Sequence, residues 1–284
     1  MPTLFVIGTP IGNLEDITLR ALRVLKEVGL IAAEDTRVTR RLLSHFDIHT
    51  RMFSYNDNNR VARMPKLLSE LEIMDVALVS DAGMPGVNDP GHQLVQAARE
   101  AGFGVVPVPG PSAVTTAISV AGIPLQQFTY LGFLPRRKAA RLKLLESVAG
   151  AERQLVILET PHRLRAALAD LREALGNRRI SVCRELTKLH EEVFRGAISE
   201  AIEHFTAPRG EITLVVEGAD PTPKDDAASE ETAQQMLHVL RGRDVRSKDA
   251  VSSVMEATGL ARNRVYALWV ASEKGDGIKR RTTK

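Results

Sequence analysis

Near its start the sequence reads Leu4-Phe-Val-Ile-Gly-Thr-Pro-Ile-Gly12, four apolar residues followed by a segment of glycine, proline and threonine. A short apolar run that ends in turn residues predicts a buried strand leading into a turn. Residues 16–27 follow with apolar side chains at helical spacing, and Gly29 ends that predicted helix. Strand, turn and helix in this order form the first unit of a fold in which strands and helices alternate.

The alternation continues over most of the chain. In the first part, further strands are predicted at 30–33, 76–80 and 105–108, and helices at 39–46, 61–71, 92–101 and 112–120. A second alternating unit has predicted strands at 128–133, 155–158, 180–183 and 211–217, and helices at 137–149, 162–175 and 198–205. We therefore predict an α/β fold, with a mainly parallel sheet in the first part.

Breaks in the pattern divide the chain into four predicted segments. Glycine and proline near residue 122 separate an N-terminal α/β domain, 1–120, from a second α/β domain, 121–220. Residues 221–229 contain acids, prolines and few large apolar side chains, which is typical of a linker. Residues 230–284 contain three short helical patterns and predict a small basic helical module with helix-turn-helix geometry.

The composition is that of a globular protein with its own core. Of the 284 residues, 44% are hydrophobic and 26% are charged, which is close to the average for soluble domains. No apolar run reaches the roughly 20 residues that cross a bilayer, and the N-terminus lacks a signal-peptide pattern. We expect a cytoplasmic protein with no membrane partner. The single cysteine, Cys183, excludes a disulfide within the chain and is expected to lie in a buried strand.

Charge is unevenly distributed along the chain. From Arg241 onward there are 11 lysines or arginines and 5 acids, so this segment carries +6 and the preceding 240 residues carry −3 of the overall +3. A basic segment of this kind favours an anionic partner, although a solubilising tail would have the same composition.

Three loops rich in glycine and proline follow predicted strands, at 8–13, 80–91 and 109–113. In an open parallel sheet, ligands bind beyond the carboxyl ends of the strands. Small residues there let the backbone approach a ligand closely. Each loop alone could be an ordinary tight turn, but three in one half of the chain favour a ligand site.

The same loops exclude several common ligands. The first loop lacks the G-x-G-x-x-G spacing of dinucleotide sites, and the chain has no G-x-x-x-x-G-K-[ST] phosphate loop. His190 has no partner histidine four residues on, so it does not form a helical zinc motif. The residues therefore predict a ligand at the sheet edge without naming it.

Eight blocks occur in a fixed order along residues 3–218. They are Gly8-Thr-Pro-Ile-Gly-Asn-Leu14, Ala33-Glu-Asp-Thr-Arg37, Ser80-Asp-Ala-Gly-Met-Pro85, Pro109-Gly-Pro-Ser-Ala113, Gly132-Phe-Leu-Pro135, Glu159-Thr-Pro-His-Arg163, Cys183-Arg-Glu-Leu-Thr-Lys188 and Thr213-Leu-Val-Val-Glu-Gly218. In these blocks the chain resembles the ribosomal RNA small subunit methyltransferase I family of the tetrapyrrole methylase superfamily. Eight ordered blocks are far more specific than any single motif.

This resemblance implies a fold, a cofactor and a reaction. It implies two α/β domains with S-adenosylmethionine in the cleft between them, a small C-terminal helical module, and a homodimer. It also implies methylation of the 2′-hydroxyl of a cytidine in the decoding region of 16S ribosomal RNA, within the small ribosomal subunit. The residues that it assigns to the cofactor are Pro10, Ala82, Gly83, Met84, Val87, Ser112, Ala113, Glu159 and Gly196.

The implied chemistry requires alignment and a proton acceptor, and no metal. A sulfonium methyl is a strong electrophile, so the ribose oxygen has to be held about 3 Å from it and in line with sulfur. A carboxylate or a basic side chain could accept the hydroxyl proton. The catalytic candidates are Glu34, Asp35, Asp81 and Lys188, and Asp89 and Glu185 are considered with them. Alternatively, Glu34 and Asp35 form a structural ion pair with Arg37 or cap a helix, and Asp89 caps the next helix; the sequence singles out no base.

Two basic clusters are candidates for RNA contact. One consists of Arg136, Arg137, Lys138 and Arg141, and the other of Arg37, Arg40 and Arg41. Either cluster could instead be a solvated helix face. Aromatic residues make up 4% of the chain, so base stacking is sparse and an assembled subunit is favoured as substrate. Two rival functions are a methylase of a tetrapyrrole or other small substrate and a non-catalytic RNA-binding assembly factor.

Overall fold

The computed structural model describes residues 2–89, 91–124, 127–220, 226–243, 245–258, 260 and 264–270. The chain forms two compact units, Met1–Ala219 and Asp220–Lys284. The first unit contains two sheets together with the helices that connect their strands, and the described elements of the second unit are helices. The predicted α/β class is confirmed. No helix among the described residues has the length and apolar character that a membrane span requires.

The first sheet consists of five parallel strands in the order β3-β2-β4-β1-β5. The strands are β1 Thr3–Ile7, β2 Leu30–Ala33, β3 Met52–Ser54, β4 Val76–Val79 and β5 Gly104–Val108. The helices between and after them are α1 Leu19–Glu27, α2 Thr36–His45, α3 Arg60–Leu71, α4 Gly91–Glu100 and α5 Ala113–Ala121. Because all five strands are parallel, the loops that follow them gather at one edge of the sheet.

The second sheet has the order β6-β7-β10-β8-β9 and is mixed. Its strands are β6 Phe128–Phe133, β7 Gln154–Glu159, β8 Arg179–Arg184, β9 Glu192–Ala197 and β10 Ile212–Val216, and its helices are α6 Lys138–Ser147, α7 Pro161–Leu175 and α8 Ile198–His204. Only β6 and β7 are parallel, since β10 runs antiparallel to β7 and β8, and β8 and β9 form a hairpin. This hairpin interrupts the predicted alternation of strands and helices.

Helix α5 joins the two halves of the first unit. Ala117 and Ala121 on this helix pack in one buried cluster with Ile11, Cys183 and Val215. Cys183 is 1% exposed and lies within β8, as predicted. Small side chains on α5 let the second sheet approach the helix closely, so the ends of β7 and β10 come near the loops of the first sheet.

The second unit has its own apolar core. It contains α9 Asp226–Gly242 and α10 Ser247–Thr258, and residues 264–270 are also helical. Trp269 is buried in this core, and the Arg241 guanidinium lies 4.1 Å from its ring centroid. Since α9 begins at Asp226, the last four residues of the predicted 221–229 linker are helical. The first residue of α9 is the acid Asp226, at the end where the helix dipole favours a negative charge. The basic tail at 278–284 lies outside the described residues.

Candidate functional site

The loops after β1 and β4 bind each other through their backbones. Thr9 N–H donates to Gly83 O at 2.9 Å, and Gly83 N–H donates to Thr9 O at 3.1 Å. The buried Thr9 hydroxyl donates to Ser80 O at 3.0 Å. Gly83 has a φ of +80°, which a glycine adopts without strain. The two loops therefore form one rigid wall.

The loops after β1 and β5 touch at Gly8 and Gly110. A Cβ built on Gly110 would lie 2.8 Å from the backbone atoms of Gly8, and one on Gly8 would lie 2.7 Å from the Gly110 Cα. No side chain fits at either position without moving a backbone. These glycines set how closely the two loops approach.

Gly110→Ala is expected to destabilise the protein by about 1–3 kcal/mol, because the added methyl forces two backbones apart. It should also weaken ligand binding at the loop edge. Urea unfolding and calorimetric titration with S-adenosylmethionine would measure both effects. Gly104→Ala is the matched control on β5, where the nearest atom to an added Cβ is 3.5 Å away. Equal stability of the two variants would contradict the close-contact interpretation.

A cavity of about 450 Å³ lies beyond these loops, between the ends of the two sheets. We call it the central cavity. The residues that line it and that the sequence assigns to the cofactor are Ala82, Gly83, Met84, Val87, Ser112, Ala113 and Glu159. The opposite wall consists of Tyr130, Phe133, Leu158, Ile212 and Thr213. The sequence assigned no cofactor role to these five residues, although Phe133 belongs to the Gly132-Phe-Leu-Pro135 block, which is expected to border the cleft.

Two residues assigned to the cofactor lie elsewhere. Pro10 lines an adjacent cavity, also of about 450 Å³, which we call the side cavity. Gly196 lines neither cavity. It lies on the edge strand β9, which β8 separates from β10, and a Cβ there would meet Glu200 and Phe194. Gly196 therefore lies away from both cavities, because a hairpin rather than a crossover follows β8, and its assignment to the cofactor stays a prediction.

Glu159 places a buried carboxylate at the central cavity. The residue is 2% exposed. Its Oε1 accepts a hydrogen bond from Thr160 N–H at 2.8 Å and lies 3.3 Å from Arg163 Nε. Its Oε2 is buried and has no partner among the described residues. A buried acceptor of this kind is costly unless a donor reaches it.

Glu34 and Asp81 form a linked pair of carboxylates on the same cavity. Glu34 Oε2 accepts from Asp81 N–H at 3.1 Å, and Asp81 Oδ1 accepts from Asp35 N–H at 3.0 Å. Burial raises the pKa of both carboxyls, and the charge of Asp81 adds to the rise at Glu34. Asp81 also lines the side cavity, so it lies where the two cavities meet.

The neighbouring acids have structural partners. Asp35 caps α2 by accepting from Arg37 N–H at 2.8 Å, and it also pairs with the Arg37 guanidinium at 2.6 Å. Hydrogen bonds from Arg37 lower the pKa of Asp35 to about 2. Asp35 lines neither the central nor the side cavity. Asp89 accepts from Gly86 N–H and Gly91 N–H at 2.7 and 2.8 Å, at the start of α4.

Lys188 lies on a strained turn beside the side cavity. Glu185 and Thr187 have φ values of +53° and +68°, which are uncommon for residues other than glycine. Lys188 Nζ lies 2.8 Å from Glu185 Oε1 and 3.1 Å from Glu211 Oε2. Partial burial opposes its charge, but the two carboxylates outweigh that effect and raise the pKa of Lys188. Lys188 is therefore a cation at neutral pH, which disfavours it as a proton acceptor.

The three arginines of the basic cluster on α2 are exposed, but they differ in their contacts. Arg37 is bound to Asp35, whereas Arg40 and Arg41 are exposed without polar partners among the described residues. Only Arg41 of these three lines the side cavity.

The second basic cluster is partly internal. Arg136 and Arg137 are exposed. Lys138 pairs with Glu173 at 3.1 Å. Arg141 is 7% exposed, lies 2.5 Å from Asp170, and donates to Pro135 O and Arg136 O. The prediction that Arg141 contacts RNA is wrong, because its guanidinium is used inside the fold.

The described residues contain no group of three His, Cys, Asp or Glu side chains that could hold a metal ion. Arg163, which the sequence did not single out, links the site to the loop between β6 and α6, residues 134–137, which we call the basic loop. It contacts Glu159 and donates to Leu134 O.

Comparison with known proteins shows the family of this chain. Residues 3–202 match the family model described as Tetrapyrrole (Corrin/Porphyrin) Methylases. The ribosomal RNA small subunit methyltransferase I of Thermotoga maritima is 49% identical over 223 residues, which cover 78% of this chain and 100% of that relative. The protein of the same name from Halalkalibacterium halodurans is 42% identical over 273 residues, or 94% of both chains.

A solved structure shares the fold. The crystal structure of uroporphyrin-III-C-methyltransferase from Thermus thermophilus superposes with a TM-score of 0.52 and 21% identity. The matched region covers 76% of this chain and 94% of the Thermus thermophilus chain. At this identity the likeness concerns the fold alone.

Proposed function

We propose a function from one premise: this chain belongs to the tetrapyrrole methylase family and, within it, to the ribosomal RNA small subunit methyltransferase I family. The protein transfers a methyl group from S-adenosylmethionine to the 2′-hydroxyl of a cytidine ribose in the decoding region of 16S ribosomal RNA. It does so in the cytoplasm as a homodimer, with the small subunit as substrate. The observation that carries this proposal is the central cavity, with its close-packed glycine loops and its buried acceptor.

The central cavity has the chemistry that S-adenosylmethionine requires. Its volume of about 450 Å³ lies within the usual range of small-ligand sites. The ligand has hydrogen-bond donors on its ammonium, ribose and adenine groups, and Glu159 Oε2 is a buried acceptor that has no partner among the described residues. Gly83 and Ser112 would bring backbone close to the ligand, while Met84 and Phe133 supply apolar contact.

The residues around Asp81 can complete the transfer. S-adenosylmethionine supplies an electrophilic sulfonium methyl, so the ribose oxygen needs alignment at about 3 Å and loss of its proton. Asp81 lies at the junction of the two cavities, where a hydroxyl entering from the side cavity would meet a ligand in the central one. Burial raises the pKa of Asp81, which makes its carboxylate a better proton acceptor.

Glu159→Gln is expected to weaken S-adenosylmethionine binding about 10- to 100-fold, because an amide replaces one of the two buried carboxylate oxygens with an NH2 donor. Calorimetric titration would measure the dissociation constant. Glu173→Gln is the control, since Glu173 is an exposed carboxylate that bonds Lys138 outside the cavity. An unchanged affinity in Glu159→Gln would remove Glu159 from the cofactor site.

Methyl transfer to ribosomal subunits tests the function itself. The protein would be incubated with radiolabelled S-adenosylmethionine and small subunits from cells that lack this gene, and the labelled nucleotide would be mapped. One labelled cytidine in the decoding region is expected, with weaker labelling of protein-free 16S RNA. Cofactor binding without RNA labelling would instead favour a small-substrate methylase. The absence of both cofactor binding and RNA labelling would contradict any methyltransferase function.

A further inference from the structure

We propose that the side cavity receives the target nucleotide of the RNA, displaced from its stack. This inference rests on the proposed function and assigns its substrate site. The side cavity and the central cavity share five lining residues, namely Ile11, Ser80, Asp81, Ala82 and Glu211. A nucleotide held there would therefore have its ribose beside the shared wall and next to the cofactor.

The size of the side cavity suits one nucleotide. Its volume of about 450 Å³ equals that of the central cavity, and both lie in the range of small-ligand sites. Enzymes that act on a nucleotide within folded RNA or DNA often pay the cost of unstacking to reach it in a pocket.

The apolar part of the side cavity can accept a base. Ile11 and Leu14 come from the loop after β1, and Val38 and Leu42 come from α2. Val38 is 38% exposed although it is apolar, so its side chain is available for contact. A flat base face can pack on aliphatic side chains through dispersion and burial. Aliphatic side chains can therefore hold a base at this site without an aromatic residue to stack on it.

The polar part of the side cavity can accept a phosphate. Arg41 lines it and has no hydrogen bond or ion pair with the described residues. Lys188 also lines it, and its ammonium has three donors, of which Glu185 and Glu211 take two. The strained backbone at Glu185 and Thr187 holds Lys188 in this position, as strain often does at functional sites. Arg41 thus supplies the positive charge that no carboxylate of the described residues offsets, while Lys188, paired with Glu185 and Glu211, keeps one N–H donor for a phosphate oxygen.

Filling the cavity tests the assignment. Val38→Trp should lower methyl transfer to small subunits about 10- to 100-fold, because the indole occupies the space of the nucleotide. The affinity for S-adenosylmethionine should stay within about twofold. Val61→Trp is the matched control on α3, where Val61 is 82% exposed and lines neither cavity.

Salt dependence tests the phosphate contact separately. Arg41→Ala should weaken binding to small subunits and lower the slope of log affinity against log salt concentration by about 1, as loss of one phosphate contact does. Arg99→Ala is the control. It removes the same exposed charge from α4, whose buried face lies in a different core cluster from that of α2.

The outcomes of these experiments distinguish a failure of the nucleotide site from a failure of the proposed function. Methyl transfer that Val38→Trp and Arg41→Ala lower, with cofactor affinity retained, supports the nucleotide site. If Val38→Trp and Arg41→Ala transfer methyl groups at the same rate as their controls, the nucleotide site is overturned and the proposed function still stands. If the unaltered protein labels no subunit RNA while binding the cofactor, the proposed function fails, and the nucleotide site fails with it.

Discussion

Asp81→Asn is expected to slow methyl transfer to small subunits by about 100- to 10,000-fold, the usual contribution of a positioned proton acceptor. The amide has the shape of the carboxylate, and its oxygen can still accept the hydrogen bond from Asp35 N–H. The start of α2 should therefore remain in place, and the loss should appear in the rate under saturating substrate. Single-turnover kinetics with radiolabelled cofactor would measure it.

The pH dependence of the same reaction identifies the acceptor. Only the deprotonated carboxylate can take a proton, so the rate should fall as pH drops through the pKa of Asp81. Burial raises that pKa above the usual 3.8 of an aspartate, which moves the acidic limb toward neutral pH. Asp81→Asn should lose this limb. Asp47→Asn, at an exposed turn outside both cavities, should keep it. An acidic limb that survives in Asp81→Asn would contradict the assignment.

Asp170→Ala is expected to lower the free energy of unfolding by about 3–5 kcal/mol, since it leaves a buried guanidinium without its counter-charge. Arg141 and Asp170 have side chains that are 8% and 4% exposed and lie 2.5 Å apart. Urea unfolding would measure the free energy of unfolding of Asp170→Ala and of a second variant, Glu173→Ala. Glu173 makes an exposed ion pair with Lys138, and its removal should cost at most about 1 kcal/mol.

A double replacement distinguishes the ion pair from simple packing. Arg141→Met with Asp170→Leu removes both charges and keeps apolar volume, so it should recover most of the lost stability. A double variant as unstable as Asp170→Ala would mean that the hydrogen bonds of Arg141 to Pro135 O and Arg136 O matter more than its charge. In both cases Arg141 belongs to the framework that holds the basic loop.

The parallel half of the fold follows directly from the sequence. Apolar runs such as residues 4–7 and 76–79 are buried on both faces, so they lack polar alternation and end in glycine-rich loops. Strands β3 and β9 were not predicted. Both are edge strands of half-buried residues, and an edge strand has no uninterrupted apolar run to reveal it. Because β9 was missed, the antiparallel hairpin of the second sheet was missed as well.

The candidate site was predictable where backbone geometry demands particular residues. Gly83 has a positive φ, and Gly110 has no room for a Cβ. Because such positions favour glycine, the sequence marks them by glycines in the loops that follow strands. The opposite wall is built by ordinary apolar side chains, which sequence cannot separate from core. Arg141 was misjudged for a related reason: its partner Asp170 lies 29 residues away on another helix, and charge counts along the chain do not reveal such pairing.

The position of the transferred methyl group distinguishes methylation of a ribose from methylation of a base. Alkaline cleavage of RNA uses the 2′-hydroxyl as its nucleophile, so a 2′-O-methylated nucleotide stays linked to its neighbour. Radiolabelled small-subunit RNA would be hydrolysed in alkali and separated by size and charge. We expect the label in one alkali-stable dinucleotide that begins with 2′-O-methylcytidine. Label released in a mononucleotide would mean methylation of a base, and it would contradict the ribose hydroxyl as the acceptor.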